Sequence, residues 1–540
     1  MELLPSWATF FAVMVATVVF AFFLQAVLLR RRGAYKLPPG PKPWPIIGNL
    51  NLIGALPHRS IHEISKRHGP IVQLWFGSCP VVVGSSVEMA KLFLKTNDAV
   101  FADRPRTAAG KYTAYDCADI VWSPYGAYWR QARKMCVAEL FSARRLESLE
   151  HIRHEEVRAL LRDLHSAGVA GNAVQLGDHL SMATLGVISR MVLGKKYVEK
   201  QPAGAETASS PPTTPEEFKW MMDELFLMSG VLNIGDFIPW LGWLDLQGYV
   251  RRMKKVNRLM HRFLDRVLDE HDERRRLQGD GFVARDMVDV LLQLADDPNL
   301  DVQLTRNGVK GITQDDILIQ CTVWHICLVQ NLVTGGADTS AVTVEWAMSE
   351  VLKNPAILAK ATKELDNVVG SGRLVTESDI PHLPYVDAIM KETMRMHPVA
   401  PLLIPRMSRE DATVAGYDVP AGTRVLINTW TISRDPSLWD SPEEFRPERF
   451  VGSGIDVKGR DFELLPFGTG RRMCPGYSLG LKVIQLALAN LLHAFSWNLP
   501  DGIAAGELSM EEIFGLTMPR KIPLLAVVKP RLPDHLYAEP

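Results

Sequence analysis

Phe467-Gly468-Thr469-Gly470-Arg471-Arg472-Met473-Cys474-Pro475-Gly476 runs directly into an apolar helical pattern over residues 479–495. A lone cysteine is usually a small buried hydrophobe. This one follows a glycine-rich turn, precedes a helix whose N-terminus favours a thiolate, and has arginines beside it, so its pKa is expected to be depressed. The glycines let backbone N–H groups approach the sulfur closely. By itself the stretch establishes an activated cysteine at a tight loop.

Outward from the loop, three segments carry residues with chemistry. Glu392-Thr393-Met394-Arg395 sets an acid and a base three apart on one helix face, and Pro447-Glu448-Arg449-Phe450 follows it. Alone, that is a common surface pair. Gly335-Gly336-Ala337-Asp338-Thr339-Ser340 leads into a helical pattern, and alone reads as an ordinary helix with a glycine-rich entry. In Trp129-Arg130-Gln131-Ala132-Arg133 the indole and the last guanidinium are four apart and stack on one helical face.

Composition bounds the rest. With 540 residues, 47% hydrophobic and 22% charged, the chain can bury a sizeable core. Lys plus Arg is 60 against 61 for Asp plus Glu, which leaves no global field to recruit nucleic acid. The cysteines, Cys79, Cys117, Cys136, Cys321, Cys327 and Cys474, lack the spacing of a zinc ribbon or a disulfide framework, and a reducing setting fits them best.

Taken in order, these segments are distinctive. The pattern Phe-x-x-Gly-x-Arg-x-Cys-x-Gly resembles, at every defining position, the haem-binding loop of the cytochromes P-450. From its N-terminal proline run to Pro519-Arg520 the chain is similar to the plant microsomal A-type branch of that family. The resemblance implies a mainly α fold with small β-sheets, and haem b held by Cys474 as axial thiolate and iron ligand. It places Arg472 at a haem propionate, Phe467 near the sulfur and Gly476 at the end of the loop. Trp129, Arg133 and Arg406 would donate to propionates. Asp338 and Thr339 would be an acid–alcohol pair that relays protons, with glycines making room for dioxygen. Glu392, Arg395 and Arg449 would form a buried structural triad.

Residues 7–29 are apolar except for Thr9, Thr17 and Gln25, enough to span a bilayer, and Arg30, Arg31 and Arg32 follow at once. The basic cluster puts the bulk of the protein in the cytosol. A core helix or a cleaved signal peptide competes with this reading, but the run exceeds a signal h-region. The expected organisation is a signal-anchor over residues 1–32 in the endoplasmic reticulum membrane and a stiff hinge over 33–45, around Leu37-Pro38-Pro39-Gly40-Pro41. A single monooxygenase domain over 46–540 follows.

Within that body, the spacing predicts a hairpin around Gly77-Ser78 and a second across residues 417–428, with Pro420-Ala421-Gly422 as its turn. It also predicts a long amphipathic helix over 249–275 and a surface loop over 201–215. Residues 233–246 form an unusually apolar loop, open to core packing or to contact with a bilayer surface. Residues 315–330 intervene where family members run almost directly into the Gly335 motif. An added segment of about four and a half turns rotates the upstream half of a helix by roughly 160°. It reads as a specialised cavity or partner element or, more simply, as the product of a mispredicted gene boundary or a retained intron.

The resemblance implies a small lipophilic substrate, dioxygen, and electrons from NADPH-cytochrome P-450 reductase. Val399-Ala400-Pro401-Leu402-Leu403-Ile404 would wall the cavity without charge, and Tyr112, Thr113, Tyr115 and Asp116 would add polar contacts. A terpenoid is the expected substrate, with homoterpene-forming cleavage of a tertiary terpene alcohol as its sharpest form. Ring hydroxylation of a flavonoid or phenylpropanoid is the alternative. Readings of other classes are a non-catalytic haem-binding membrane protein and an isomerase or dehydratase on the same fold. Both lack substrate-dependent NADPH consumption.

Overall fold

The computed structural model of the chain describes Met14 and residues 35–197, 214–295 and 314–538, the stretch 314–325 by its backbone alone. The span expected over residues 7–29 lies, Met14 apart, outside the described residues. Among those, no helix is long and apolar enough to cross a membrane. The loop expected over 201–215 is outside them up to residue 213.

Helices dominate, as expected. Those that position the site are α1 (Ala108–Thr113), α2 (Ala127–Met135), α3 (Glu150–Val169), α4 (Leu176–Leu193), α5 (Pro215–Gly230), α6 (Tyr249–Gln278), α7 (Gln314–Ala337), α8 (Thr339–Lys353), α9 (Pro384–Met396) and α10 (Tyr477–Ala494). In α6, Met253, Val256, Met260, Phe263 and Val267 recur at helical spacing and are all buried, so this face is what holds the helix in place. α5 starts where Thr214 and Glu217 form a capping box with Pro215 at the first position.

Two cores result. One joins α3, α4, α8, α9 and α10 through residues such as Leu161, Met348, Ile389 and Leu488. The other joins α4 to α5, α6 and α7 through Met191, Phe218, Phe263 and Val329. Each such side chain, fully buried, contributes roughly 1.5–3 kcal/mol. Residues 315–330 are taken into α7 as continuous helix, and Ile326, Leu328, Val329 and Gln330 are buried in it. Gln330 Nε2 donates to Thr113 O at 2.9 Å.

The strands are β1 (Ile71–Phe76), β2 (Cys79–Gly84), β3 (Ala173–Gln175), β4 (Arg406–Met407), β5 (Ala412–Val414), β6 (Tyr417–Val419), β7 (Arg424–Ile427), β8 (Phe495–Asn498) and β9 (Leu525–Pro530). They form sheets in the orders β1-β2-β7-β4, β3-β9-β8 and β5-β6. The hairpin around Gly77-Ser78 is present as β1 and β2. The second expected hairpin is not formed. β6 pairs back onto β5 through Ala415 and Gly416, at φ 50° and 79°, while β7 joins β2 in parallel and β4 in antiparallel. Two left-handed residues match the twist of an antiparallel pair. The buried run Val425, Leu426 and Ile427 belongs inside a sheet rather than in a half-solvated hairpin.

The proline segment runs against β1 and β6. Gln73 N donates to Pro39 O at 2.9 Å and Asp418 N to Lys36 O at 2.8 Å. A Cβ on Gly40 would sit 2.0 Å from Gln73 O, so only glycine fits there. The apolar loop over 233–246 divides: Phe237 and Ile238 are buried, the Phe237 ring 5.5 Å from that of Phe76, whereas Trp240, Trp243 and Leu246 point outward.

Candidate active site

The residues before α10 fold as successive turns that deliver Cys474 beside its first turn. Cys474 N donates to Phe467 O at 3.0 Å, which closes the loop on itself. Gly470, at φ 72°, has no room for a side chain, because a Cβ would lie 2.3 Å from Leu94 O. Phe467 packs against the core, its ring 6.3 Å from Tyr477. Gly476 caps α10, with Phe141 3.5 Å from where its Cβ would stand.

Cys474 is a free thiol, and its pKa moves against the expectation. Burial pushes it up, and the Gly476 N–H and the Arg133 guanidinium draw it down only in part. The neighbouring arginines turn elsewhere. Arg472 donates to the carbonyls of Ala102 at 2.8 Å, Ile120 at 3.3 Å and Ser123 at 2.5 Å. Arg471 donates to Asp98 at 3.1 Å and Tyr125 at 3.2 Å. Closeness in sequence is not closeness to the sulfur here, and a bound metal ion is what removes such a proton outright.

Above the loop the cations converge. Trp129 donates its indole N–H to Ile120 O at 3.0 Å, with Arg472 over its ring at 4.4 Å and Arg133 at 6.0 Å. Arg133 donates to Met473 O. Arg406 reaches Asp98 Oδ1 at 2.8 Å and Thr469 O at 2.9 Å. Arg104, which the sequence reading missed and no local pattern marks, is buried and donates to the carbonyls of Val121, Ile404 and Pro405 at 3.0, 2.6 and 2.8 Å. Burial, with Arg406 and Arg133 nearby, lowers Arg472 to about 9, and burial lowers Arg104, Arg133 and Arg406 as well. Buried positive charge resting mostly on carbonyl oxygens is the complement of a doubly anionic ligand. On that observation the residues fit haem, with its two propionates.

The Gly335 motif bends the central helix into α7 and α8. Thr339 Oγ1 donates to Gly335 O at 2.8 Å, taking the carbonyl that its own amide uses in an unbroken helix. The two glycines differ. A Cβ on Gly336 would strike Ile188 Cδ1 at 2.2 Å, whereas at Gly335 nothing lies within 4 Å. Gly335 and Thr339 therefore share a face bordered by open space, and Gly336 serves helix packing. Asp338 accepts from Thr517 Oγ1 at 3.0 Å, and burial pushes its pKa up to about 6.

Glu392, Arg395 and Arg449 do form one buried network. Arg395 donates to both Glu392 oxygens at 2.7 and 2.8 Å, and Arg449 Nε to Glu392 Oε1 at 3.0 Å. Arg395 also reaches Ser433 O at 2.6 Å and Pro442 O at 2.8 Å, so α9 is locked to the segment ahead of the cysteine loop.

A cavity of about 110 Å³ lies among Trp122, Phe237, Met253, Ala400, Leu402 and Leu516. Residues 400–403 wall it as expected. Tyr112, Thr113, Tyr115 and Asp116 do not border it. Tyr115 instead meets His261 Nδ1 at 3.2 Å, and Asp116 pairs with Arg106 at 3.2 Å. Three consecutive left-handed residues, Tyr115, Asp116 and Cys117, turn this segment.

This fold, with a cysteine loop under a cationic cluster and an apolar cavity, is that of a haem-thiolate enzyme. The family model of the cytochromes P-450 matches residues 38–524, and the chain belongs to that family. It is a monooxygenase whose cofactor is haem b, with Cys474 as the axial thiolate. It is 49% identical to dimethylnonatriene synthase of Zea mays, over 94% of each chain. To trimethyltridecatetraene synthase of Zea mays it is 48% identical, over 97% of this chain and 95% of that one. To flavonoid 3'-monooxygenase of Petunia hybrida it is 42% identical, over 96% and 98%. A zebra fish cytochrome P-450 solved with abiraterone superposes with a TM-score of 0.70 at 27% identity, covering 88% of this chain and 100% of that one.

Proposed function

We propose that this monooxygenase oxidises a terpenoid, and that its reaction is the homoterpene-forming oxidative cleavage of a tertiary terpene alcohol. The observation that carries the proposal is the pair of maize relatives at 48–49% identity, both named for homoterpene products, against 42% for the petunia flavonoid 3'-monooxygenase. The cavity wall agrees in kind, because residues 400–403 offer apolar shape and no charge to a lipophilic molecule. Flavonoid ring hydroxylation is the second reading, supported by the several flavonoid oxygenases among the relatives.

Haem, when bound through Cys474, supplies the activation of dioxygen, favoured by the electron density of the thiolate. In our reading Trp129, Arg133, Arg406 and Arg472 hold its propionates. Thr339, on the open face of the central helix, orders the water that hands on protons, and Asp338, whose pKa burial raises to about 6, exchanges them with solvent. Glu392, Arg395 and Arg449 are structural. Electrons come from NADPH-cytochrome P-450 reductase, and residues 1–32 anchor the chain in the endoplasmic reticulum membrane with its catalytic domain in the cytosol.

Microsomes containing the protein and its reductase, given NADPH and either a sesquiterpene tertiary alcohol or a flavanone, test the reading. A chain-shortened homoterpene from the alcohol is expected. A hydroxylated flavanone with the alcohol left untouched would replace the first reading with the second.

A further inference from the structure

The cavity of about 110 Å³ is smaller than the roughly 300 Å³ at the low end of ligand sites, so a bulky molecule fits in it only where a wall yields. Three chain segments meet at one edge of it: the start of α1, the loop after α5, and the sheet around β2 and β7. Thr107 and Ala109 border the cavity from the first, Asp236 and Phe237 from the second, and Arg424 from the third.

Asp236 ties the three together. Its Oδ1 accepts from Ala108 N at 2.7 Å, and Asn233 Nδ2 approaches the same oxygen at 3.4 Å. Its carbonyl accepts from Arg424 at 3.0 Å and from Cys79 Sγ at 3.4 Å. The next carbonyl, of Phe237, accepts from Ser78 N at 2.9 Å and Ser78 Oγ at 3.0 Å. Arg424 lies over the Phe237 ring at 4.8 Å. The loop is thus fixed to the sheet mainly through backbone carbonyls, while the Asp236 carboxylate alone of these contacts reaches α1.

We propose that Asp236 is a positioning residue whose carboxylate, by holding Ala108 N–H, clasps α1 to the loop after α5 and so governs passage of bulky molecules into the cavity. The proposal rests on the family assignment and is independent of which substrate is oxidised.

The test uses the full-length, haem-loaded protein and two nitrogen ligands of the iron, imidazole and a triaryl-substituted imidazole, whose exchange rates are read by stopped-flow absorbance. In Asp236→Ala the association and dissociation rates of the bulky ligand should both rise roughly tenfold, about what one hydrogen bond to a charged group is worth. Imidazole exchange should stay within about twofold. Asp236→Asn keeps an acceptor oxygen, though an uncharged one, and should bring the rates most of the way back. Ala108→Pro removes the donor alone, because proline suits the first position of a helix and Thr107 before it is already extended, and it should reproduce Asp236→Ala. The double variant should add nothing to either single one. Unchanged rates for the bulky ligand, equal changes for both ligands, additive single effects, or no rescue by asparagine would each overturn the proposal. Should Asp236→Ala fail to load haem, Ala108→Pro decides on the same criteria.

Discussion

Thr517 donates its hydroxyl to Asp338 Oδ2 at 3.0 Å, joining the bend of the central helix to a segment 179 residues further along the chain. Burial raises that carboxyl from 3.8 to about 6, so the folded protein holds the proton more tightly than the unfolded chain does. Stability from this group therefore falls as pH rises from about 4 to about 6, and the cost is complete above that. It amounts to about 3 kcal/mol. Asp338→Asn removes the charge and should raise the thermal inactivation temperature near neutral pH by roughly 3 °C, while flattening its pH dependence below 6. Inactivation curves at about pH 5 and about pH 7.5 check both effects. A variant that inactivates sooner near neutrality would speak against the buried charge.

Thr339→Ala should keep haem, since its hydroxyl bonds Gly335 O across the bend of the central helix. Without a hydroxyl to order water on the open face, product formed per NADPH should fall by roughly tenfold or more, with hydrogen peroxide making up the difference. Product and peroxide measured against NADPH consumed settle it, and full coupling in the variant would remove Thr339 from the relay.

Arg395→Ala should cost about 3–5 kcal/mol, because Glu392 then keeps a buried charge with one partner fewer and the Ser433 and Pro442 carbonyls lose their donor. Arg395→Lys should recover little, since an ammonium cannot reproduce the planar fork. Denaturant midpoints of the three proteins give the comparison, and a lysine variant as stable as the parent would mean that charge alone matters at this position.

Gly470→Ala should lower haem retention, because its Cβ meets Leu94 O at 2.3 Å and its φ of 72° is strained for alanine. Gly372→Ala, where a Cβ meets nothing within 4 Å, is the matched control. The ratio of haem to protein after purification checks this, and equal ratios in the two variants would show that the loop yields.

The residues legible in the sequence are those whose partners are local or fixed by an unmistakable pattern. The cysteine loop, the 71–84 hairpin and the Glu392–Arg395 pair each lie within a short run of chain, and Arg449 followed from the family. What escaped depends on distant partners. Arg104 is set largely by carbonyls some 300 residues away, and Thr517, the partner of Asp338, lies 179 residues from it. The thiol expectation failed for the same reason, since Arg471 and Arg472 are drawn off by Asp98, Ala102 and Ser123, none of them near in sequence. The hairpin across 417–428 failed because Pro420-Ala421-Gly422 looks like a turn and is one, but joins strands of different sheets.

The central claim is that Cys474 is the thiolate ligand of haem iron, and the carbon monoxide difference spectrum of the reduced protein addresses it most directly. The parent should show the thiolate-specific band. Cys474→Ser should lose that band, because a neutral hydroxyl donates far less electron density to the iron than a thiolate. The other described cysteines, Cys79, Cys117, Cys136 and Cys327, are free, and serine at any of them should leave the band in place. An unchanged spectrum in Cys474→Ser, or loss of the band on replacing one of the others, would contradict the assignment.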